Sequence, residues 1–212
     1  MKYPTLVVMF ALALPTSGET QDASWYNREW GEASANSDDS LCRESGIRNR
    51  YEEVFQSPER ADVIEQTLVV RCLWQDGDRE RAYFWYCVFW ARNAILIHVL
   101  RASGGEYGEL EMPLLLRLVG APPTEWAMSD PDRAKAIMLR AVDVACRLPS
   151  PPRIADEYSV LAAEAQNRVR SELARMNSDE LATPVVLKHR QEVGLYVGPW
   201  KDPGRPLSDS WR

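Results

Sequence analysis

The sequence predicts an all-α fold, an irregular bundle of about five or six helices around a central apolar helix, with extended N- and C-terminal arms. Three observations carry that expectation. Ala82 to Leu100 (AYFWYCVFWARNAILIHVL) is apolar nearly all round, which marks a helix enclosed by others. Two later segments repeat apolar residues at intervals of three and four, the spacing of a packed helix face. Nothing alternates as a strand does, apart from the weak Leu195-Tyr196-Val197, and no fixed-period repeat is visible.

Residues 1–18 read as a secretory signal peptide. Met1-Lys2 supplies a positive start, Leu6 to Leu14 an apolar core, and Pro15 followed by Thr16-Ser17-Gly18 a small-residue exit. The run is well short of the roughly 20 apolar residues that a membrane span needs. The competing reading is a buried N-terminal helix, but the order of charge, apolar run and small residues favours export. With no cysteine at the cleavage point there is no atom to carry a lipid anchor, so the mature chain is expected in a periplasm or the extracellular medium, off the membrane. Residues 19–40 form a flexible polar arm with Trp25, Tyr26 and Trp30 as isolated aromatics, 41–193 the helical domain, and 194–212 an extended tail.

Within the helical domain, Ile47 to Phe55 puts Ile47, Tyr51, Val54 and Phe55 on one side of a short helix. Ser57-Pro58-Glu59 then signals a helix start, with Ser57 as the cap, and predicts a helix running to about Trp74. Its apolar residues Val63, Ile64, Leu68, Val70 and Cys72 form no single stripe, which implies burial on more than one side. Gln75 to Asp78 breaks the chain, Gly77 suiting a left-handed helix end and Asp78 the cap of the next helix.

In that next helix Trp85 and Phe89, four apart, are expected to meet along one face. Arg92 and Asn93 near its middle oppose a transmembrane reading, since a central arginine costs about 2.5–3.5 kcal/mol on insertion scales. If the helix is enclosed, Arg92 must reach an acid, a set of carbonyls or an aromatic face. Ser103-Gly104-Gly105 ends the helix, and Glu106 to Glu111 reads as an acidic loop. Pro113 to Val119 is a short helix at most, ended by Gly120-Ala121-Pro122-Pro123, with Thr124 capping a single turn through Trp126.

Asp130-Pro131-Asp132 opens a further helix whose Ala134, Ile137, Met138, Ala141, Val142, Ala145 and Cys146 share one face, and Pro149 to Pro152 stops it. Asp156 to Met176 gives a long charged helix with Tyr158, Leu161, Ala162, Ala165, Val169, Leu173 and Met176 inward. Thr183-Pro184 starts a last short helix through Glu192. Pro199, Pro203 and Pro206 keep the tail from being helical, and Trp200 and Trp211 are its candidate anchors.

The chain carries 25 Lys and Arg against 31 Asp and Glu, a formal net charge of −6; loss of Lys2, the leader's only charge, makes the mature chain more acidic still. Phosphate and anionic-lipid binding both draw on clustered cations, and none occur here, so neither a nucleic acid nor a lipid surface is expected as partner. An acidic surface instead suits a basic protein partner, or serves solubility alone. Cys42, Cys72, Cys87 and Cys146 all follow the leader and predict two disulfides in an oxidising compartment; three connectivities are open, with Cys72 to Cys87 disfavoured because the two would be staggered by about 7 Å on antiparallel helices. No C-x-x-C occurs, and His98 and His189 stand far from the cysteines, so no metal is expected.

Catalytic constellations are scarce. Neither histidine neighbours a serine motif, G-x-S-x-G is missing, and no glycine-rich phosphate loop or cofactor motif occurs. Cys42-Arg43-Glu44-Ser45-Gly46 resembles the glutamate-serine pair that carries the general acid in lytic transglycosylases, which are helical and exported. The glycine-rich, Met-Gln-containing stretch those enzymes show shortly downstream is missing, so membership is not inferred and Glu44 stands only as a candidate acid for glycan cleavage.

The reading preferred from sequence is an exported helical protein acting by protein–protein binding, of the inhibitor or immunity kind, on a partner in the cell envelope. Glu106, Tyr107, Glu109, Glu111, Trp126 and Trp200 are its candidate contact residues, acids for a basic partner and aromatics for contact area. The simpler reading of each is a solvated loop acid or a ring packed on the body. Cell-wall glycan cleavage and a structural role in an envelope assembly are the alternatives.

Overall fold

The computed structural model describes residue 42 and residues 53–104, 121–149, 158–179, 182–205 and 207. The chain divides into two units, Met1–Arg50 and Tyr51–Arg212. Of the first, Cys42 alone is described, helical and buried. The leader, the polar arm, Glu44, the 106–111 acids and Trp211 lie outside the described residues.

In the second unit a helical turn at 53–56 leads into a single 3-10 turn, Pro58–Arg60. One continuous helix from Ser57 is not what forms. Ser57 makes no side-chain cap, and Ala61 turns extended (ψ 127°), breaking the helical path. The start falls instead at Asp62, which is also extended (ψ 173°) and builds a reciprocal cap: its Oδ1 accepts from the Glu65 N–H at 2.8 Å, and its own N–H donates to Glu65 Oε2 at 3.0 Å. Asp-x-x-Glu satisfies two end donors that Ser57 leaves open. Helix α1 (Val63–Gln75) follows, burying Gln66, Thr67, Val69, Val70, Cys72 and Leu73, and so more than one side. Ile64, expected inward, is exposed.

Gly77 takes the left-handed conformation (φ 80°) that ends α1, and α2 (Arg79–Ala102) begins two residues on. At 1.5 Å per residue it is about 36 Å long. Every residue from Glu80 to Ile97 is buried, and Val99 as well. This is the expected central helix: α1, α3 (Ala121–Ala127), α4 (Pro131–Arg147) and α5 (Ser159–Ser178) all pack on it. The Trp85 and Phe89 rings meet as expected, with centroids 5.3 Å apart. Among the described residues no helix is long and apolar enough to cross a membrane.

Ser103 caps α2, its N–H bonding to Val99 O at 2.9 Å, and Gly104 (φ 76°) turns the chain away. Pro122-Pro123, expected to end a helix, sit inside α3, which spans more than the single turn expected from Thr124. A first turn tolerates proline because its N–H groups have no helical partner there. Asp130 caps α4 by accepting from the Arg133 N–H, with Pro131 as the first helical residue, and the inward face is the one the spacing predicts. Helix α5 buries Ala162, Ala165, Val169, Leu173 and Met176, with Tyr158 and Leu161 half-covered. Helix α6 (Thr183–Glu192) lies on α4; the Lys135 ammonium donates to Thr183 Oγ1 at 2.7 Å, and that hydroxyl donates to Asp132. The architecture is an all-helical, irregular bundle around a central helix.

Cys42 and Cys72 are disulfide-bonded, whereas Cys87 and Cys146 are free thiols. The expectation of two disulfides is thus corrected to one. Cys87, on α2, and Cys146, near the end of α4, are both buried. Cys87 faces the Tyr83 hydroxyl in a site where burial pushes its thiol up to about 12.

Candidate functional site

The densest polar construction among the described residues lies where the tail crosses the N-terminus of α2. Helix starts leave backbone N–H groups unpaired. Asp78 occupies the cap position, yet its carboxylate bonds to no backbone N–H of α2. The Glu80 N–H is met by the tail instead, donating to Pro203 O at 3.0 Å. Asp78 turns outward and accepts from the Arg205 backbone N–H at 3.0 Å, from Arg205 Nε at 2.8 Å to Oδ2, from Arg205 Nη2, and from Arg81 Nη1 at 3.2 Å. The expected Asp78 cap is therefore replaced by a carbonyl from 125 residues downstream, and the aspartate holds the residue that delivers it.

The charges are unequal in their surroundings. The Asp78 side chain is 5% exposed and the Arg205 side chain 71%. Burial pushes the Asp78 carboxyl upward, and the hydrogen bonds and charge of Arg205, with Arg81 behind, overcome that and leave it below its ordinary value. The hydrogen bonds to Asp78 raise Arg205 in turn. Close approach of the two segments requires Gly204 (φ 77°), where a Cβ would collide with the Gly77 carbonyl oxygen and the Asp78 Cα.

Trp200 anchors the same segment. It is buried, its indole N–H donates to Ala127 O at 2.8 Å, and its ring lies 4.5 Å from Trp126 and 6.3 Å, edge-on, from Tyr83. The Arg133 guanidinium stacks 4.4 Å over the outer face of that ring and bonds to Glu80. Trp126 is half-buried; its own N–H donates to Lys201 O at 2.8 Å, and its ring meets Trp74 edge-on. Gly198 N–H donates to Ser129 O at 2.9 Å. Arg190 of α6, buried, bonds to Glu125 O at 2.9 Å and Tyr196 O at 3.0 Å, joining α6, the end of α3 and the start of the tail.

Two further groups sit inside the bundle. Arg92, which had to find a partner, bonds carbonyls: Nη2 to Pro149 O at 2.8 Å and Nη1 to Ala145 O at 3.4 Å. Ala145 O belongs to the last turn of α4 and Pro149 O lies just beyond its end, where the helix dipole is negative and a cation is favoured. Burial draws Arg92 down to about 10, which still leaves it charged at neutral pH. Asn93 donates to Gln66 at 2.8 Å and so satisfies the second polar residue of the apolar helix. His98 faces Glu172 of α5, with Nε2 and Oε2 4.0 Å apart, while Glu172 Oε1 pairs with Arg168 at 2.9 Å. Burial and the Arg168 charge hold the imidazole below its ordinary value.

Of the residues singled out from sequence, Trp126 and Trp200 come together at the tail, and their rings pack on the body. Glu106, Tyr107, Glu109 and Glu111 lie outside the described residues. Asp78, Arg133, Arg190 and Arg205 were not singled out as site residues; single charges in a tail or at a helix start carry no sequence sign that they will meet. Among the described residues no group of three or more His, Cys, Asp or Glu is placed to hold a metal ion. No protein-family model, curated protein or solved structure matches the chain.

Proposed function

We propose that the protein works outside the cytoplasm by binding another protein, of the inhibitor or immunity kind, with a basic surface on the partner. What supports this reading is the use to which the shifted ionisable groups are put. Asp78 and Arg205 fasten the tail, Arg92 caps α4, Arg190 ties three segments together, and His98 lies between two helices. Shifted groups gather where chemistry is done, or where charges hold a structure together. Here each has a structural partner and they are spread over the body, which suits a rigid frame presenting a surface. The acidic balance of the chain and the acids Glu106, Glu109 and Glu111 supply the charge that a basic partner meets.

The test uses tagged, oxidised chain lacking residues 1–18, incubated with envelope and medium fractions of the source cell. The reading expects a complex of fixed stoichiometry whose association slows at least about tenfold between 50 and 500 mM salt, as electrostatic steering is screened. Cleavage of cell-wall glycan by the purified chain, lost in Glu44→Gln, would replace binding with catalysis.

A further inference from the structure

The tail seat has the form of a peptide-binding site. Its walls come wholly from the body: Asp78 and the Glu80 N–H at the start of α2, Tyr83 one turn on, Trp126 and the Ala127 and Ser129 carbonyls at the end of α3. What fills it is one short run without helix or strand, residues 198–205. That run takes left-handed or otherwise unusual backbone at Gly198, Asp202 and Gly204, so its shape follows the seat and not a regular element of its own. Its holds are those by which a short linear segment is recognised. An aromatic anchor donates to a carbonyl, backbone groups bond to the body at Gly198, Lys201 and Pro203, and an arginine fork closes on a buried carboxylate.

We propose that this seat is a site for a segment carrying a tryptophan and, five residues on, an arginine, and that the chain's own tail is its releasable resident ligand. The outer hold favours release: Arg205 is mostly exposed, so water and salt compete for its pair with Asp78 while Asp78 stays in place. The hinge is at hand in Gly194, exposed and left-handed (φ 72°), where α6 ends and the tail begins. Release bares the Trp126 and Tyr83 rings beside an anionic carboxylate, a surface that a foreign segment of the same chemistry then fills. The inference stands apart from the binding reading above, because the ligand tested is the chain's own.

The experiment keeps the folded chain intact until the last step. A site-specific protease sequence inserted after Gly194 is cut in the folded protein, and a fluorescent peptide of residues 195–207 is then added. The proposal expects saturable uptake of the labelled peptide with loss of the cut tail by native mass spectrometry. It further expects at least about tenfold weaker uptake for a Trp200→Ala peptide and about fivefold weaker uptake for Arg205→Ala. A cut tail that stays bound for a day without exchanging would overturn releasability. Loss of helical circular dichroism on cutting would also overturn it, since the tail would then be an inseparable part of the fold.

Discussion

Replacing Asp78 by Asn removes one charge and little volume, which makes it the sharpest probe of the tail clasp. The carboxylate is almost completely covered and faces two arginines of different standing: Arg81, 8% exposed, and Arg205, 71% exposed. The exposed partner contributes about 1 kcal/mol after screening by water. The covered partner matters more, because its pair with Asp78 is buried on both sides, and breaking buried pairs costs about 3–5 kcal/mol. Arg81 also stacks over the Phe55 ring, which retains part of its stabilisation. The net expectation is about 3 kcal/mol, or roughly 6–12 °C in melting temperature for a domain of this size. Urea unfolding followed by tryptophan fluorescence measures it, and a cycle with Arg205→Ala isolates the outer pair at about 1 kcal/mol of coupling. A loss below about 0.5 kcal/mol for Asp78→Asn would refute the reasoning, since the buried pair could then contribute little to stability.

Trp200→Ala should destabilise the chain by about 3–5 kcal/mol, the cost of emptying a large buried ring site, and should make the Lys201 to Arg205 amides exchange freely by mass-spectrometric hydrogen exchange. Stability should fall with acidity in two windows. His98 sits below its ordinary 6.5, so the unfolded chain takes up its proton first, and stability present above pH 6.5 declines as pH falls from there toward the lowered folded value. Asp78 also lies below its ordinary 3.8, so its contribution persists down to that region and is lost as pH falls through the lower folded value; Asp78→Asn removes the second window and His98→Asn the first, in denaturation curves taken from pH 3 to 8. Iodoacetamide should label two thiols per unfolded, unreduced chain and four after reduction, with reduction costing about 3 kcal/mol of stability. Labelling of none before reduction would restore the second disulfide.

Much of the fold was legible because it follows from local chemistry. The aspartate-proline signal at Asp130, the Thr183-Pro184 start and the apolar face of α4 are written within a few residues, and the structure places each where the spacing predicts. The all-round apolarity of Ala82 to Leu100 likewise has one outcome in a packed helical bundle, enclosure by neighbours. Where two local signals competed, the reading went astray: Ser57-Pro58 and Asp62-x-x-Glu65 both announce a helix start, and the reciprocal cap prevails because it satisfies a donor at each end. Asp78 was readable as a cap position, but not as the holder of Arg205, because that meeting depends on the tail's return across 127 residues of chain. The pairing of Cys42 with Cys72 depends on tertiary placement in the same way.

Amide hydrogen exchange along Ala82 to Val99 tests most directly the claim that this helix is the enclosed axis of the bundle. These amides should be the slowest in the protein, opening only with global unfolding, so that their exchange free energies equal the unfolding free energy measured by denaturant. Exchange of that segment as fast as that of the exposed α6, with the rest of the bundle intact, would contradict it.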